Sequence, residues 1–337
     1  MDHVTLGSTG ITTNKNGFGA LPIQRVSDED STLLLRKALK NGITFFDTAR
    51  MYSNSESKIS LALGDIRHKI FIASKTAAVE MELFWKELKT SLENLKTDYI
   101  DIYQFHNPPF CPRPDDESGI YDAMLEAKAM GIIRHIGITC HRLDIALEAA
   151  NSGLYETIQY PVSYLSTPEE LELVRVCREK NIGVLAMKAL SGGLITDSAA
   201  AYAFLAQPQF DNVLPIWGIQ RESELDEFIS YQDNPPELDE RAKQVIERDV
   251  KELSGEFCRG CGYCMPCPAN ITIPISARMS LFIKRAPESF YMMDQWKESM
   301  KNIDNCTNCG SCIKKCPYDL DTPKLLKDSW AEYKKLL

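Results

Sequence analysis

The distribution of hydrophobic and polar residues divides most of the chain into short apolar runs and longer amphipathic stretches. Eight apolar runs have the length and composition of buried strands. Between them lie segments with hydrophobic residues at helical spacing, for example DEDSTLLLRKALKNG and TPEELELVRVCREKN. The predicted strands are Gly17–Ala20, Ile43–Phe46, Ile70–Ala73, Ile100–Gln104, Ile132–Ile138, Thr157–Tyr160, Gly183–Met187 and Val213–Trp217.

Eight strands that alternate with helices predict an α/β fold. Short, fully apolar strands separated by helices are typical of a parallel sheet covered by helices. Eight repeats favour a closed (β/α)8 TIM barrel, and a doubly wound open sheet is the alternative. In such a barrel the reactive residues are expected at the C-terminal ends of the strands.

Several predicted helices begin with residues that favour helix termini. Ser27 or Asp28 precedes the first helix, where a side-chain oxygen can accept a backbone N–H. Thr167 and Pro168 open the sixth helix, and proline suits the first helical position. These signals agree with the boundaries that the hydrophobic pattern predicts.

The bulk properties of the chain limit its partners and location. The net charge of −9 argues against nucleic acid or an anionic membrane as a partner. The N-terminal sequence has no apolar core of a signal peptide, and no apolar run of about 18 residues occurs. We therefore expect a cytoplasmic protein, in which thiols stay reduced and clustered cysteines indicate metal.

A Pro-rich, polar stretch, QDNPPELDE, follows the last predicted barrel helix and marks a domain boundary. We predict that residues 1–235 form the barrel and residues 236–256 a linking helix. Residues 257–337 form a smaller cysteine-rich domain that ends in a helix. Within it, SARMSLFIKRA and SFYMMDQWKESMKN have helical spacing, so this domain is predicted to be mostly helical.

Eight of the 11 cysteines form two runs in this last domain. Each run begins with three cysteines at every third position and closes on Cys-Pro, which is typical of bacterial 4Fe-4S ferredoxins, where three residues precede the Cys-Pro. The first run departs from that spacing, because two residues rather than three precede its Cys-Pro. The runs are Cys258, Cys261, Cys264 and Cys267, and Cys306, Cys309, Cys312 and Cys316.

Thiolate sulfur suits zinc as well as iron–sulfur clusters. Tetrahedral zinc sites normally use two pairs of ligands separated by a longer loop, so the dense spacing favours two 4Fe-4S clusters. By resemblance to two-cluster ferredoxins, the fourth cysteine of each run ligates the cluster of the other run. One ligand set is then Cys258, Cys261, Cys264 and Cys316, and the other is Cys306, Cys309, Cys312 and Cys267.

Four polar residues with complementary chemistry follow predicted strands two to four. Asp47 follows ITFF, Tyr52 lies five residues later, Lys75 follows FIAS and His106 follows IDIYQF. These positions belong to the C-terminal end of a barrel. The region resembles the aldo-keto reductases over roughly residues 4–231. The matching sequences are FFDTARMYSNSES, FIASKT and IDIYQFHNP.

This resemblance implies reduction of an aldehyde or ketone by hydride from NADPH or NADH, or the reverse oxidation. A carbonyl that accepts hydride needs a proton, but an unperturbed tyrosine is a poor acid at neutral pH. A neighbouring ammonium makes a phenol more acidic, so Lys75 is expected to assist Tyr52, and Asp47 to hold Lys75 charged. His106 is expected to hydrogen-bond the substrate oxygen and orient it.

The resemblance also implies contacts with the nucleotide cofactor. Backbone amides and a cation suit a pyrophosphate, and a thioether can pack on a nicotinamide ring. The implied contacts are Thr139, Cys140 and Gln159 for the carboxamide, Met187 for the nicotinamide ring, Lys188, Ser191 and Gly192 for the pyrophosphate, and Gly218, Arg221 and Glu227 after the eighth strand.

The sequence after the eighth strand departs from the family pattern. Glu224 stands where the phosphate-binding arginine is expected, and Phe228 replaces an asparagine. Arg221 could compensate, but Glu222 and Glu224 would repel a 2′-phosphate. The sequence therefore predicts nucleotide binding and leaves NADPH and NADH open.

Three functions stay open, because nicotinamide passes electrons in pairs whereas an iron–sulfur cluster accepts them singly. The barrel is a hydride enzyme for a small carbonyl substrate, with structural clusters. Alternatively, a ferredoxin or other redox partner feeds electrons through the clusters to a substrate in the barrel. In the third reading the protein is an electron-transfer subunit with a vestigial site, and the intact set of four polar residues argues against it.

Overall fold

The computed structural model describes residues 3–253 and 256–337 and contains the predicted barrel. Its strands pair in parallel in chain order, and the last pairs with the first. This closure confirms the barrel and rules out the open sheet. The strands of the described chain are β1 (His3–Thr5), β2 (Thr12–Asn14), β3 (Gly17–Gly19), β4 (Phe45–Asp47), β5 (Phe71–Thr76), β6 (Ile100–His106), β7 (Ile133–Thr139), β8 (Thr157–Pro161), β9 (Gly183–Met187) and β10 (Val213–Gly218).

Helices follow the barrel strands and continue through the C-terminal region. None of the helices in the described ranges is both long enough and apolar enough to cross a membrane. They are α1 (Asp28–Lys40), α2 (Ser55–Leu63), α3 (Met81–Leu95), α4 (Ile120–Ala129), α5 (Leu143–Ser152), α6 (Pro168–Glu179), α7 (Ser198–Leu205), α8 (Glu222–Asp233), α9 (Glu240–Glu252), α10 (Ile273–Ser276), α11 (Met279–Arg285), α12 (Glu288–Tyr291), α13 (Asp294–Lys301), α14 (Ser311–Lys314) and α15 (Thr322–Tyr333).

Two of the predicted helix starts have side-chain caps. Ser27 accepts the backbone N–H of Asp30 at 3.0 Å, so Ser27 and not Asp28 is the cap of α1. Thr167 and Glu170 form a reciprocal capping box at the start of α6. Each such cap satisfies backbone donors that have no partner within the helix and is worth about 1 kcal/mol.

Strand register places several polar strand ends side by side. Lys75 of β5 pairs with Gln104 of β6, and His106 of β6 pairs with Thr139 of β7. Thr139 in turn pairs with Gln159 of β8. Because parallel strands end at the same edge, these side chains gather at the C-terminal end of the barrel.

The hairpin formed by β1 and β2 closes the opposite end of the barrel. Leu6 and Ile11 are buried and belong to one apolar cluster with Phe45, the first residue of β4. Gly7 forms a bridge with Ile182, directly before β9. Full burial of an aliphatic side chain of this size stabilises the fold by roughly 1.5–3 kcal/mol, so the hairpin contributes to the core.

The chain divides into two compact units. The first comprises Met1–Ala189 and Ala199–Lys243, and the second comprises Leu190–Ser198 and Gln244–Leu337. The strand and helix pattern does not predict that the short segment after β9 groups with the cysteine-rich region. We call Leu190–Ser198 the β9 segment.

The second unit is mostly helical, and residues of α10 and α15 line a cavity together with cysteines of both runs. SARMSLFIKRA forms α11, whereas SFYMMDQWKESMKN forms two helices, α12 and α13, instead of one. The terminal helix α15 buries Trp330 and Tyr333. Trp330 Nε1 donates to Asp304 at 2.8 Å, and the Tyr333 hydroxyl donates to the Tyr291 carbonyl at 2.8 Å. These bonds join α15 to the segment that precedes the second cysteine run.

Candidate functional site

A buried ion pair stands at the C-terminal ends of β4 and β5. Lys75 Nζ donates to Asp47 Oδ1 at 2.7 Å and to the Thr48 carbonyl at 2.6 Å. The Lys75 side chain is 0% exposed and that of Asp47 is 5% exposed. Burial lowers the pKa of Lys75 and raises the pKa of Asp47, and their mutual attraction opposes both shifts. Both side chains can therefore stay charged in the interior, where an isolated charge would have a large free-energy penalty.

Two aromatic side chains lie next to this ion pair. Lys75 Nζ is 5.3 Å from the centre of the Tyr52 ring. The Tyr52 and His106 rings meet edge to face with centroids 5.8 Å apart. The structure thus brings together all four residues that the sequence singles out: Asp47, Tyr52, Lys75 and His106.

His106 is a neutral group in this environment. Burial, together with the nearby Lys75 cation, lowers the pKa of His106 to about 3. Among the described residues, no partner accepts or donates a hydrogen bond at its buried Nδ1 atom. At physiological pH the imidazole can therefore donate or accept a hydrogen bond but carries no charge.

Amide side chains extend this group across the barrel. Gln159 Nε2 donates to Asp47 Oδ2 at 3.3 Å, and Gln104 Nε2 donates to Gln159 Oε1 at 2.9 Å. The Thr139 hydroxyl donates to Gln104 Oε1 at 3.1 Å and lies 3.2 Å from Gln159 Oε1. Sequence reasoning missed Gln104, although a polar residue inside the apolar run IDIYQF is a signal that could have found it.

Sequence reasoning also missed a buried carboxylate behind the lysine. Glu56, at the start of α2, has a side chain that is 1% exposed and forms an ion pair with Arg50. It accepts hydrogen bonds from Ser74 Oγ at 2.7 Å and from Asn94 Nδ2 at 3.1 Å. Its charge favours the protonated form of Lys75, so Glu56 and Asp47 both support the cation.

The predicted nucleotide contacts differ widely in exposure. Thr139, Cys140 and Gln159 are buried in the barrel, and burial raises the pKa of the Cys140 thiol well above its usual range. The structure joins Thr139 and Gln159 by side-chain contact, whereas Cys140 donates its backbone N–H to the Gln159 carbonyl at 2.9 Å. The more exposed candidates of the first unit are Met187, Lys188, Gly218, Arg221 and Glu227. The β9 segment contains two further candidates, Ser191, which is buried, and Gly192, which is exposed.

The start of α8 is occupied by its own side chains. Glu224 Oε2 accepts the backbone N–H groups of Gln220 and Arg221, each at 3.0 Å. Glu224 Oε1 accepts from Arg221 Nε at 2.9 Å and from Nη2 at 2.5 Å. Phe228 is buried against Trp217, with ring centroids 4.3 Å apart. Arg221 is thus neutralised locally, and Phe228 packs in the core.

The second cysteine run faces the fourth cysteine of the first run. One cavity of the second unit is lined by Cys264 and Cys267 of the first run together with Cys306, Cys309 and Cys312 of the second. The remaining lining includes Ile271, Ile273 and Leu326, which supply an apolar wall. This lining includes all four cysteines that the crossed arrangement predicts for one cluster, together with Cys264 of the other predicted set.

The first run lies near the fourth cysteine of the second run. Cys258 interacts electrostatically with Cys261 and Cys316. Burial, together with neighbouring cysteines, raises the pKa of Cys258 and raises that of Cys264 to about 12. A bound metal keeps such thiols deprotonated. Within residues 3–253 and 256–337, no three His, Cys, Asp or Glu residues lie close enough together to hold a single metal ion. The thiolates that bind a 4Fe-4S cluster lie farther apart, because each binds a different iron atom.

Family models match both parts of the chain. The model described as "Aldo/keto reductase family" matches residues 6–227, and the model "4Fe-4S dicluster domain" matches residues 257–321. The second match covers both cysteine runs, so these residues fit two 4Fe-4S clusters.

Individual relatives resemble the first of these parts. L-galactose dehydrogenase from Arabidopsis thaliana is 30% identical over 223 residues, which are 60% of this chain and 70% of the relative. NADPH-dependent codeinone reductase 1-1 from Papaver somniferum is 30% identical over 208 residues, 54% of this chain and 64% of the relative. The holo structure of aldo-keto reductase AKR11C1 from Bacillus halodurans has a TM-score of 0.64 at 21% identity, covering 76% of this chain and 98% of that one. The structural match supports the fold alone.

Proposed function

The chain belongs to the aldo/keto reductase family, and from this premise we propose that it reduces an aldehyde or ketone with Tyr52 as the proton donor. It is an NAD(P)H-dependent oxidoreductase that carries two 4Fe-4S clusters. We further propose that it acts in the cytoplasm on a small-molecule substrate, because clustered thiols stay reduced there.

The observation that carries the proposal is the convergence of Tyr52 and His106 on the buried Lys75–Asp47 pair. When bound, the nicotinamide supplies a hydride. As the hydride adds to the carbonyl carbon, the C=O π electron pair moves to oxygen, and this oxygen takes the Tyr52 proton. Lys75 stabilises the phenolate that remains, and neutral His106 hydrogen-bonds the oxygen and orients it.

Mutation of the proposed acid tests this assignment. In the full chain, purified without oxygen, Tyr52→Phe should reduce kcat for carbonyl reduction by about 100-fold or more. Nucleotide affinity, measured by quenching of protein fluorescence, should change little. Tyr103→Phe is the matched control, because it removes a buried hydroxyl on the same barrel, beside Phe84. Normal turnover by Tyr52→Phe would reject the assignment.

A second function is favoured by the local neutralisation of Arg221 by Glu224. If the nucleotide binds poorly, a ferredoxin or similar donor would deliver two electrons singly through the clusters to a carbonyl substrate. Two protons then complete the alcohol, one of them from Tyr52. Adding NADH or NADPH to the oxidised protein separates the cases. Tight nucleotide binding with unchanged clusters supports hydride transfer, whereas clusters that only a ferredoxin reduces support the alternative.

A further inference from the structure

The second unit contains a buried arginine with no carboxylate partner. Arg278 is 5% exposed and directly precedes α11. Its Nε donates to the Pro274 carbonyl at 2.7 Å, and its Nη1 donates to the Gly192 carbonyl at 2.9 Å. The guanidinium also lies over the Phe282 ring, 4.9 Å from its centre. Across the described parts of the chain, no Asp or Glu lies within ion-pair distance of it.

The same guanidinium lies against the loop of the first cysteine run. A Cβ atom added to Gly260 would lie 2.8 Å from Arg278 Cζ, so the backbone between Cys258 and Cys261 contacts the side chain directly. Gly260 also has a φ of +64°, which a larger residue would adopt with strain. The close approach of Arg278 therefore depends on glycine at this position.

A buried guanidinium needs a counter-charge. Arginine keeps its proton in proteins, and an unpaired buried charge costs several kcal/mol. Burial lowers the pKa of Arg278, and the nearby Cys258 and Cys261 act in the opposite direction. These cysteines supply negative charge as thiolates, the form in which they bind iron.

We propose that Arg278 is the counter-ion of the cluster held by the first cysteine run and ties the β9 segment to that cluster through Gly192. Arg278 is thus a positioning residue with two contacts, one to the Gly192 carbonyl of the β9 segment and one to the loop of the first cysteine run at Gly260. Loading of the cluster would then determine how well the β9 segment is ordered.

The backbone conformation of the β9 segment is one that contacts from its surroundings can stabilise. Ser191, Gly192 and Gly193 all have positive φ, at 49°, 65° and 90°. Glycine adopts such angles readily, whereas Ser191 keeps a left-handed conformation only when its surroundings fix it. The contact of Arg278 with the Gly192 carbonyl supplies such a fixed surrounding.

Arg285 provides a matched control within the same unit. It donates to the Leu194 carbonyl at 3.1 Å and is 6% exposed, so it also holds the β9 segment from a buried position. However, Asp249 at 3.0 Å and Glu252 at 2.7 Å neutralise it. Its charge should therefore have little influence on a cluster.

The first test is the reduction potential of the clusters in the full-length protein. Each cluster gains one electron from dithionite and with it one negative charge, which a neighbouring cation stabilises. Arg278→Gln should lower the equilibrium constant for reduction of one cluster at least tenfold. This is a fall of about 59 mV in the reduction potential of a one-electron step. Arg278→Lys, which keeps the charge, should shift it less, and Arg285→Gln should leave both clusters unchanged. Unshifted potentials in loaded Arg278→Gln would overturn the proposal.

The second test is hydrogen–deuterium exchange of residues 190–198, without nucleotide or substrate. With the clusters loaded, exchange should be faster in Arg278→Gln than in wild type and intermediate in Arg278→Lys. If Arg278→Gln fails to load iron, Arg278→Lys should still load it, because it keeps the positive charge. Failure of both variants to load iron would overturn the proposal that Arg278 is the counter-ion of the cluster. Because neither test uses turnover, their outcomes are independent of the proposed carbonyl reduction.

Discussion

At the scale of single residues, the candidate site consists of buried charges held by specific partners. Lys75 contacts Asp47 directly, and Glu56 adds negative charge nearby. Removing one partner of a buried pair typically costs 3–5 kcal/mol, because the other charge is left uncompensated. The contacts that support the proposed acid therefore also stabilise the barrel, so loss of activity after Asp47→Asn would have to be separated from loss of folding.

His106 is predicted to stay neutral from pH 5 to pH 8, because its pKa in the folded protein is about 3. NMR of isotope-labelled histidine should show no titration of His106 in this range. The unfolded chain takes up this proton below about pH 6.5. Folding stability should thus fall as pH decreases below 6.5, by at most about 1.4 kcal/mol per pH unit from this group. Titration of His106 near pH 6.5 would contradict a neutral role.

At the scale of elements, the start of α8 leads to a prediction about the cofactor. Because Glu224 pairs with Arg221 and caps the helix, wild type should bind NADH more tightly than NADPH. Glu224→Gln should free the guanidinium and raise NADPH affinity about tenfold, with little effect on NADH. Glu172→Gln, which breaks the comparable surface pair with Arg175 on α6, is the control. Unchanged NADPH affinity, with NADH still bound, would place the adenosine elsewhere.

The elements differ in how far the sequence predicts them. All eight barrel strands have bounds within three residues of those predicted, because each is a buried apolar run. The hairpin of β1 and β2 escapes prediction, since three residues per strand leave no alternation to detect. Likewise Asp47, Tyr52, Lys75 and His106 follow from their positions after strands, whereas Glu56 reaches the site only through the packing of α2.

The hairpin can be tested as a structural element. Leu6 is fully buried in the cluster with Ile11 and Phe45, so Leu6→Ala should reduce the free energy of unfolding by about 2–5 kcal/mol. Urea unfolding followed by near-ultraviolet circular dichroism measures this loss. Leu33→Ala, at a position that is 64% exposed on α1, should change stability by less than about 0.5 kcal/mol. Equal effects of the two variants would show that the hairpin does not contribute to the core.

At the scale of the whole molecule, the sequence predicts that the chain has a barrel and a cysteine-rich region. It does not predict which residues belong to each of the two compact units. The break at QDNPPELDE marks the end of the barrel repeats, and the cysteine runs mark the cluster region. The β9 segment lies in the middle of the barrel sequence, yet it groups with the second unit. Arg278 and Arg285, which are distant from this segment in the chain, donate hydrogen bonds to its Gly192 and Leu194 carbonyls.

The predicted crossed ligation would be the widest constraint in the second unit, because it would join cysteine runs that are separated by helices α10 to α13. Cys264 and Cys267 line one cavity with three cysteines of the second run, and Cys316 interacts with Cys258 of the first. A protein with serine at Cys258 and Cys261 should keep only the other cluster. Adding Cys316→Ser to this protein should then leave its iron content unchanged.

The reverse variant completes this prediction. Adding Cys267→Ser to the same double-serine protein should remove most of the remaining iron, because Cys267 completes the ligand set of Cys306, Cys309 and Cys312. Iron analysis and electron paramagnetic resonance of the reduced proteins measure both effects. Ligation within each run would give the opposite pattern, in which Cys316→Ser is damaging and Cys267→Ser is silent. The comparison therefore separates crossed from local ligation without any assumption about substrate, nucleotide or redox partner.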